Sequence, residues 1–342
     1  MTLPTILTII LNYRTPEQTL KSAAAALREM KDLAGEIVIV DNYSGDDSFE
    51  LMAAAVAEQG WDPDGRMRVV QAGHNGGFGA GCNTAMRLGL SDGKQPDFVY
   101  LLNSGAWPES GAIRRLRDFM IAYPRAGLVG SLIRGADAHP HSTAFRFPSI
   151  AGEFESSART GAISRWLENS ITTLPIPQKD TQVDWVAGTS MMLRRRMLDE
   201  IGLFDETFFL HFEETDLCRR AAAAGWRTHY VPSSEVVHIG SVSTGMKTWH
   251  RTPPSWFDSR LYYFTKSHGQ AYAALATLAR ISGSLIWQAR RLFSGKPQID
   301  PEGFLRDLTS HSARSLFHRS PRSPDYPNPT SPLTNAIAED RK

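Results

Sequence analysis

Cysteine is nearly absent: the 342 residues contain two, Cys82 and Cys218, far apart and without metal-ligand spacing. That excludes a disulfide-stapled scaffold and a structural zinc module, and it fits a reducing compartment. Charge of one sign is missing too. Lys plus Arg total 37 against 36 Asp plus Glu, a formal net charge of +1, so no broad positive field draws nucleic acid as a partner. An anionic ligand must then be held by a local site. No apolar run reaches the roughly 18 residues of a membrane span, and the first eleven residues lack a basic n-region and a small-residue cleavage site. These absences predict a cytoplasmic protein. No internal repeat is visible, which excludes a solenoid.

Apolar residues make up 42% of the chain, enough for a substantial core, and the length fits about two domains or one large α/β domain with extensions. Runs at 5–11, 36–40 and 98–102 read as buried strands, the first covered on both faces, and 68–70 as a short strand. Between them, the Ala-rich stretch to Lys31, 48–59 and 82–89 read as helices, with Thr15 and Pro16 suited to a helix start. The alternation predicts βαβ units and a mostly parallel sheet with helices on both faces. Such a sheet gathers ligands at the carboxyl ends of its strands. The polar loops after Leu11, Val40 and Leu102 are therefore expected on one edge. Residues 134–180 read as an irregular insertion, 183–193 as a strand, 228–239 as a strand pair and 271–293 as a helix. The Pro-, Ser- and Asn-rich chain after Arg319 reads as disordered.

Four stretches then occur in a specific order. They are Asn12-Tyr13 after the first strand, Val40-Asp41-Asn42-Tyr43-Ser44 after the second, and His74-Asn75-Gly76-Gly77-Phe78-Gly79-Ala80-Gly81-Cys82-Asn83. The fourth is Gly202-Leu203-Phe204-Asp205, continuing to Phe212-Glu213-Glu214-Thr215-Asp216-Leu217. Together they resemble the rhamnosyltransferase-like branch of family 2 glycosyltransferases, over residues 5–270. The resemblance implies a GT-A fold in residues 1–270, with a nucleotide-binding half at 1–130 and an acceptor-side half at 131–270. A helical extension at 271–319 and a disordered tail at 320–342 would follow. It also implies inverting transfer of a sugar, rhamnose in this branch, from a nucleoside diphosphate to a hydroxyl of a cell-surface polysaccharide or lipid-linked glycan, with a divalent cation (Mg2+ or Mn2+).

Carried over residue by residue, the resemblance makes Asp41 the reader of the base, with Asn12, Tyr13 and Asn42 around it; an ordinary turn aspartate is the alternative. Asn75, Gly77, Phe78, Gly79 and Asn83 would meet the donor through loop amides and the following helix N-terminus. The bland reading is a tight turn needing positive φ. Glu214 is the expected base for the acceptor hydroxyl with Glu213 as its neighbour, since close carboxylates raise one another's pKa. An acidic helix N-terminus is the alternative there. Trp185, Gly188 and Asp216 fall on the acceptor side. Lys247 and Arg251, with Arg260 and Lys266, either offset charge on the departing diphosphate or are surface charges.

The chain departs from the pattern once. Asn103 and Ser104 precede Gly105, where the resemblance calls for a metal-binding Asp, and glycine offers a hard cation no ligand. Three readings follow: a metal held through the substrate, His238 and neutral groups; a metal-independent enzyme; or a catalytically degenerate nucleotide-sugar-binding protein. The helix near the C-terminus, with Trp287 and Leu292 beside Arg290 and Arg291, either lies peripherally on an anionic membrane or packs on the catalytic domain.

Overall fold

Apolar residues pointing both ways from the first strand set the architecture. In β1 (Ile6–Asn12), Ile6 and Ile10 enter one core layer and Leu7 and Ile9 the other, all fully buried. A strand covered on both faces needs helices on both. The computed structural model, which describes residues 3–61, 66–240 and 250–317, supplies them.

The chain runs through α1 (Pro16–Glu29), β2 (Gly35–Asp41), α2 (Ser48–Glu58), β3 (Met67–Gln71), α3 (Gly77–Leu88), β4 (Phe98–Asn103), β5 (Ala106–Pro108), α4 (Ala112–Ala122) and β6 (Ala126–Arg134). It continues with β7 (Pro140–His141), β8 (Ala144–Phe145), α5 (Ile150–Ala158), α6 (Gly161–Trp166), β9 (Thr181–Val183), β10 (Trp185–Val186), β11 (Ser190–Arg194), α7 (Arg195–Ile201), α8 (Glu213–Ala223) and β12 (Arg227–His238). Three helices close it: α9 (Pro254–His268), α10 (Gln270–Ser294) and α11 (Phe304–Phe317). The main sheet has the order β3-β2-β1-β4-β11-β6-β12-β5, with β7 on β6 and β9 on β12. The neighbours β3, β2, β1 and β4 are parallel, and β11 runs against both β4 and β6. Residues of α1, α2 and α4 fill the layer around Ile6 and Ile10, and residues of α3, α7 and α8 the layer around Leu7 and Ile9.

Several expectations change. The insertion 134–180 holds β7, β8, α5 and α6, and 183–193 divides into β10 and β11 around a turn. The pair expected at 228–239 is one strand, β12. A register shift between Val231 and Glu235 lets it follow β6 while β9 flanks its start and β5 its end. The glycine run is not a turn leading to a helix at 82, because α3 already begins at Gly77. A Cβ at Gly81 would come within 2.4 Å of Leu11 Cδ1, so glycine lets this helix lie directly on β1. The tail 320–342 lies outside the described residues.

The last helices are fixed by a buried ion pair. Arg260 of α9 donates to Glu153 Oε2 of α5 at 2.7 and 3.0 Å and to Thr277 Oγ1 of α10 at 3.1 Å, and Arg280 reaches the same carboxylate at 3.3 Å. Burial acts to raise the Glu153 pKa, but the two guanidiniums outweigh it and hold the carboxyl below its ordinary value. Its stabilisation is thus complete above the ordinary carboxyl range and is lost as pH falls through the lowered pKa. Glu153→Ala leaves Arg260 buried without its partner and is expected to cost about 3–5 kcal/mol in urea unfolding. A loss under about 1 kcal/mol would show that the pair is not what joins these helices.

Candidate active site

The carboxyl ends of β1, β2 and β4 are in register, Asn12 beside Asp41 and Leu11 beside Asn103, so their loops share one edge. Asn12, Asp41 and Ser44 form a buried cluster on it. Asn12 Nδ2 donates to Asp41 Oδ1 at 2.9 Å and to Ser44 Oγ at 3.2 Å, and Ser44 Oγ donates to Asp41 Oδ1 at 2.5 Å. The second Asp41 oxygen accepts only longer bonds, from the Ser44 amide at 3.2 Å and Gln71 Nε2 at 3.4 Å. A carboxylate oxygen so placed retains capacity for a further donor such as a ring N–H. Tyr13 is half-buried, with the Arg14 guanidinium 5.2 Å from its ring. Asn42 donates to Asn75 Oδ1 at 2.9 Å and to the Gly77 carbonyl at 3.2 Å.

The glycine turn is used differently from the sequence expectation. The Gly77 amide donates to Asn75 Oδ1 at 3.1 Å and the Phe78 amide to the Phe209 carbonyl at 3.2 Å, so two amides expected at the donor are bonded within the protein. Gly77 has φ +87°, and a Cβ there would lie 1.6 Å from the Phe209 oxygen. Asn83 grips Phe204 from both sides, donating to its carbonyl at 2.9 Å and accepting from its amide at 3.1 Å. Gly79 gives room to the Phe204 side chain. Gly77, Gly79 and Asn83 therefore seat the loop 203–212 on α3.

That loop ends in two successive left-handed residues, His211 (φ 71°) and Phe212 (φ 69°), a conformation uncommon outside glycine. They turn the chain so that α8 opens on Glu213. Glu213 is buried, and its Oε2 has no hydrogen-bond partner among the described residues. Glu214 Oε1 accepts the Gly188 amide at 3.3 Å. Burial pushes both carboxyls above the ordinary range, and the Glu214 charge adds to the rise at Glu213. A Cβ at Gly188 would sit 3.2 Å from the Phe78 ring and 3.4 Å from Glu214 Oε1, so the structure gathers Phe78, Gly188 and Glu214 at one point. Sequence reasoning missed His211, whose imidazole burial holds down to about 4 and so neutral at pH 7. No sequence signal singles it out, because its left-handed backbone is set by packing.

The other expected residues are more dispersed. Trp185 donates to the Arg146 carbonyl at 2.9 Å and stacks on Phe145 at 4.1 Å, which covers one face of its ring. Asp216 is buried between Lys266 at 2.6 Å and Arg220 at 2.8 Å. Lys266 also holds Asp205 at 2.8 Å, and although burial opposes it, this bond and those from Thr207 pull the Asp205 carboxyl down to about 2. Arg251 pairs with Asp307 through two bonds of 2.5 and 2.6 Å. The cations Arg251, Arg260 and Lys266, expected near a diphosphate, thus each meet a carboxylate of the chain itself. Lys247 lies outside the described residues. Ser104 Oγ is 3.4 Å from Thr15 Oγ1, and Asn103 gives its amide to the Thr189 carbonyl at 3.0 Å.

His238 stands across from Ala106, and the Ile239 amide donates to the Gly105 carbonyl at 3.1 Å, so the histidine and the substituted position adjoin. No group of three or more His, Cys, Asp or Glu side chains that could hold a metal exists among the described residues. The side chains at this strand end therefore do not fit a divalent cation held by protein carboxylates.

Residues 4–261 match the sequence model of the family described as "Glycosyltransferase like family 2". The chain belongs to this glycosyltransferase family. The enzyme is 30% identical over 250 residues to the N-acetylglucosaminyl-diphospho-decaprenol L-rhamnosyltransferase of Mycobacterium tuberculosis, spanning 70% of this chain and 78% of the relative. A 59-residue stretch, 17% of this chain and 22% of the relative, is 42% identical to rhamnosyltransferase WbbL of Escherichia coli. Both similarities agree with the rhamnosyltransferase-like branch. Among solved structures, the mannosyltransferase PcManGT of Pyrobaculum calidifontis, in complex with GDP-Man and Mn2+, superposes with a TM-score of 0.52 at 15% identity, over 93% of this chain and 82% of that one. The likeness shows the GT-A fold.

The buried pair gives this glycosyltransferase a pH signature. In the unfolded chain Glu213 ionises in the ordinary carboxyl range, while the folded state keeps its proton to higher pH, so stability falls as pH rises between the two values. Glu213→Gln cannot ionise. Its melting temperature is expected to fall less than that of the wild type between about pH 5 and 8, measured by differential scanning calorimetry. Parallel curves would show that Glu213 carries no raised pKa.

Proposed function

We propose that this glycosyltransferase moves a rhamnosyl group, with inversion, from a nucleoside-diphosphate donor to a hydroxyl of a lipid-linked glycan at the cytoplasmic face of a membrane. The observation that carries the reading is Glu214, with Oε1 held by the Gly188 amide at 3.3 Å beside Phe78. That amide holds one carboxylate oxygen of Glu214 in place. Burial raises its pKa, which improves proton acceptance by a carboxylate near neutral pH. In this reading Glu214 deprotonates the acceptor hydroxyl, which attacks the anomeric carbon in line while the diphosphate leaves from the opposite face. Asp41, with Asn12, Tyr13 and Asn42, receives the base; Asn103 and Ser104 border the diphosphate; Trp185 and Gly188 border the acceptor. The name of the Mycobacterium tuberculosis relative supports both the rhamnosyl group and a lipid-linked acceptor. Similarity to an enzyme over 70% of the chain, together with the intact Glu213-Glu214 pair, speaks against a degenerate binder.

The residues after β4, Asn103, Ser104 and Gly105, offer a divalent cation no carboxylate. What the chain itself brings to that edge is His238 and neutral hydroxyl and amide groups.

Glu214→Gln removes the base while preserving shape, and turnover is expected to drop about a hundredfold or more. The check is nucleoside-diphosphate release in the presence of acceptor; near-normal turnover takes Glu214 out of the role. Gly105→Asp adds an anionic oxygen at the end of β4. It is expected to tighten Mn2+ on the complex with a nucleoside diphosphate about tenfold or more, read by paramagnetic resonance titration of free Mn2+. Unchanged affinity would mean that the end of β4 does not face the diphosphate.

A further inference from the structure

Helix α10 has two faces of opposite use. Its inner face, with Ala273, Ala276, Thr277, Gly283, Ser284 and Trp287 buried, lies against α5, and at Gly283 a Cβ would come within 2.1 Å of Ser157 Oγ. On the outer face Leu275, Leu278, Leu285 and Leu292 are 52% to 85% exposed, and Phe293 is 91% exposed. With Ser282 and Ala289 between them these leucines lie at steps of three and four residues, an apolar stripe about 27 Å long at 1.5 Å per residue, interrupted by Ser282. An apolar stripe of this kind on a packed helix marks an interaction surface.

The charges around the stripe say what covers it. From Ser259 through Ile299 the sequence has no Asp or Glu. Of its cations, Arg260 and Arg280 are held by Glu153, and Lys266 by Asp205 and Asp216. Arg290, Arg291 and Lys296, at the end where Leu292 and Phe293 protrude, have no carboxylate in ion-pair reach among the described residues. Arg290 donates to the Arg159 carbonyl and Thr160 Oγ1, Arg291 to the Lys296 carbonyl and Gln298, and Lys296 lies over the Trp287 ring. A second copy is a poor occupant. In parallel, two such helices bring their basic ends together; antiparallel, neither offers the other's basic end a carboxylate, where a coiled-coil seam wants opposite charges at its edges. Among the described residues no helix is long and apolar enough to cross a membrane, so the stripe would lie on a bilayer surface. An apolar face ending in a basic cluster matches the boundary between acyl chains and anionic headgroups.

We infer that the outer face of α10 docks this glycosyltransferase on an anionic bilayer, Leu275, Leu278, Leu285 and Leu292 entering the acyl boundary and Arg290, Arg291 and Lys296 meeting lipid phosphates. The inference rests on the proposed lipid-linked acceptor for its purpose and on the stripe for its chemistry.

The test is flotation of the full-length protein with phosphatidylcholine vesicles, with and without phosphatidylglycerol. Wild type is expected to float with the anionic vesicles and to be released by salt. Leu278→Glu/Leu285→Glu, at exposed positions and with the fold checked by circular dichroism, is expected to weaken vesicle binding about tenfold or more. Arg290→Gln/Arg291→Gln is expected to weaken it comparably and to flatten the salt dependence. Both variants should retain wild-type turnover on a short-chain, detergent-soluble acceptor, which separates docking from catalysis. The inference is overturned if wild type does not float, or if the variants float equally well. It is also overturned if light scattering finds a wild-type dimer that Leu278→Glu/Leu285→Glu makes monomeric. Wild type that floats but transfers no sugar would overturn the proposed function and leave the docking surface standing.

Discussion

The seat of the loop 203–212 on α3 is the constraint on which the site depends. Phe209 presents its carbonyl to the Phe78 amide, and the approach is so close that Gly77 has no room for a side chain. Asn83 adds two bonds to Phe204 from a position 121 residues earlier in the chain. This clamp joins α3, which Asn42 ties to the Asp41 loop, to the loop that leads into the glutamate pair. Without it neither the start of α8 nor the reach of Glu214 to the Gly188 amide would be fixed relative to the carboxyl ends of β1 and β2.

Electrostatics sets the glutamate pair apart. Several buried or half-buried carboxylates are matched by cations: Glu153 by Arg260 and Arg280, Asp205 by Lys266, Asp216 by Lys266 and Arg220. At the head of α8 two carboxyls lie side by side, and one oxygen of Glu213 has no partner among the described residues. Cys82 registers the pair, because burial and then the two glutamates push its thiol up. Two adjacent carboxyls without a matching cation concentrate proton affinity at one place, which proton-accepting chemistry requires.

How much of this was legible in the sequence follows from what each signal depends on. The strands 5–11, 36–40 and 98–102 were readable because burial on both faces leaves continuous apolar runs, and their polar ends then had to fall on one edge. Glu213 and Glu214 were readable as neighbours at the start of a helix. The use of Gly77 and Gly79 was not, since a glycine that admits a phosphate and one that admits another backbone look alike in sequence. The partners of Arg251, Arg260 and Lys266 were equally hidden: Asp307, Glu153 and Asp205 lie 56, 107 and 61 residues away. Strand β12 looks like a pair in sequence because its bulge interrupts the apolar pattern while its ladder with β6 continues.

The helices after residue 250 act on the site through aromatic contacts. Phe212, the left-handed residue before Glu213, has its ring 5.4 Å from Tyr263 and 6.2 Å from Trp256 of α9, and Phe208 lies 4.9 Å from Tyr262. Left-handed backbone at two non-glycine residues costs on the order of 1–3 kcal/mol each and persists only where the surroundings hold it. Here the surroundings are α9, and α9 is held in turn by Arg260, which binds Glu153 of α5 and Thr277 of α10. The bend that aims the glutamate pair therefore depends on the inner face of α10.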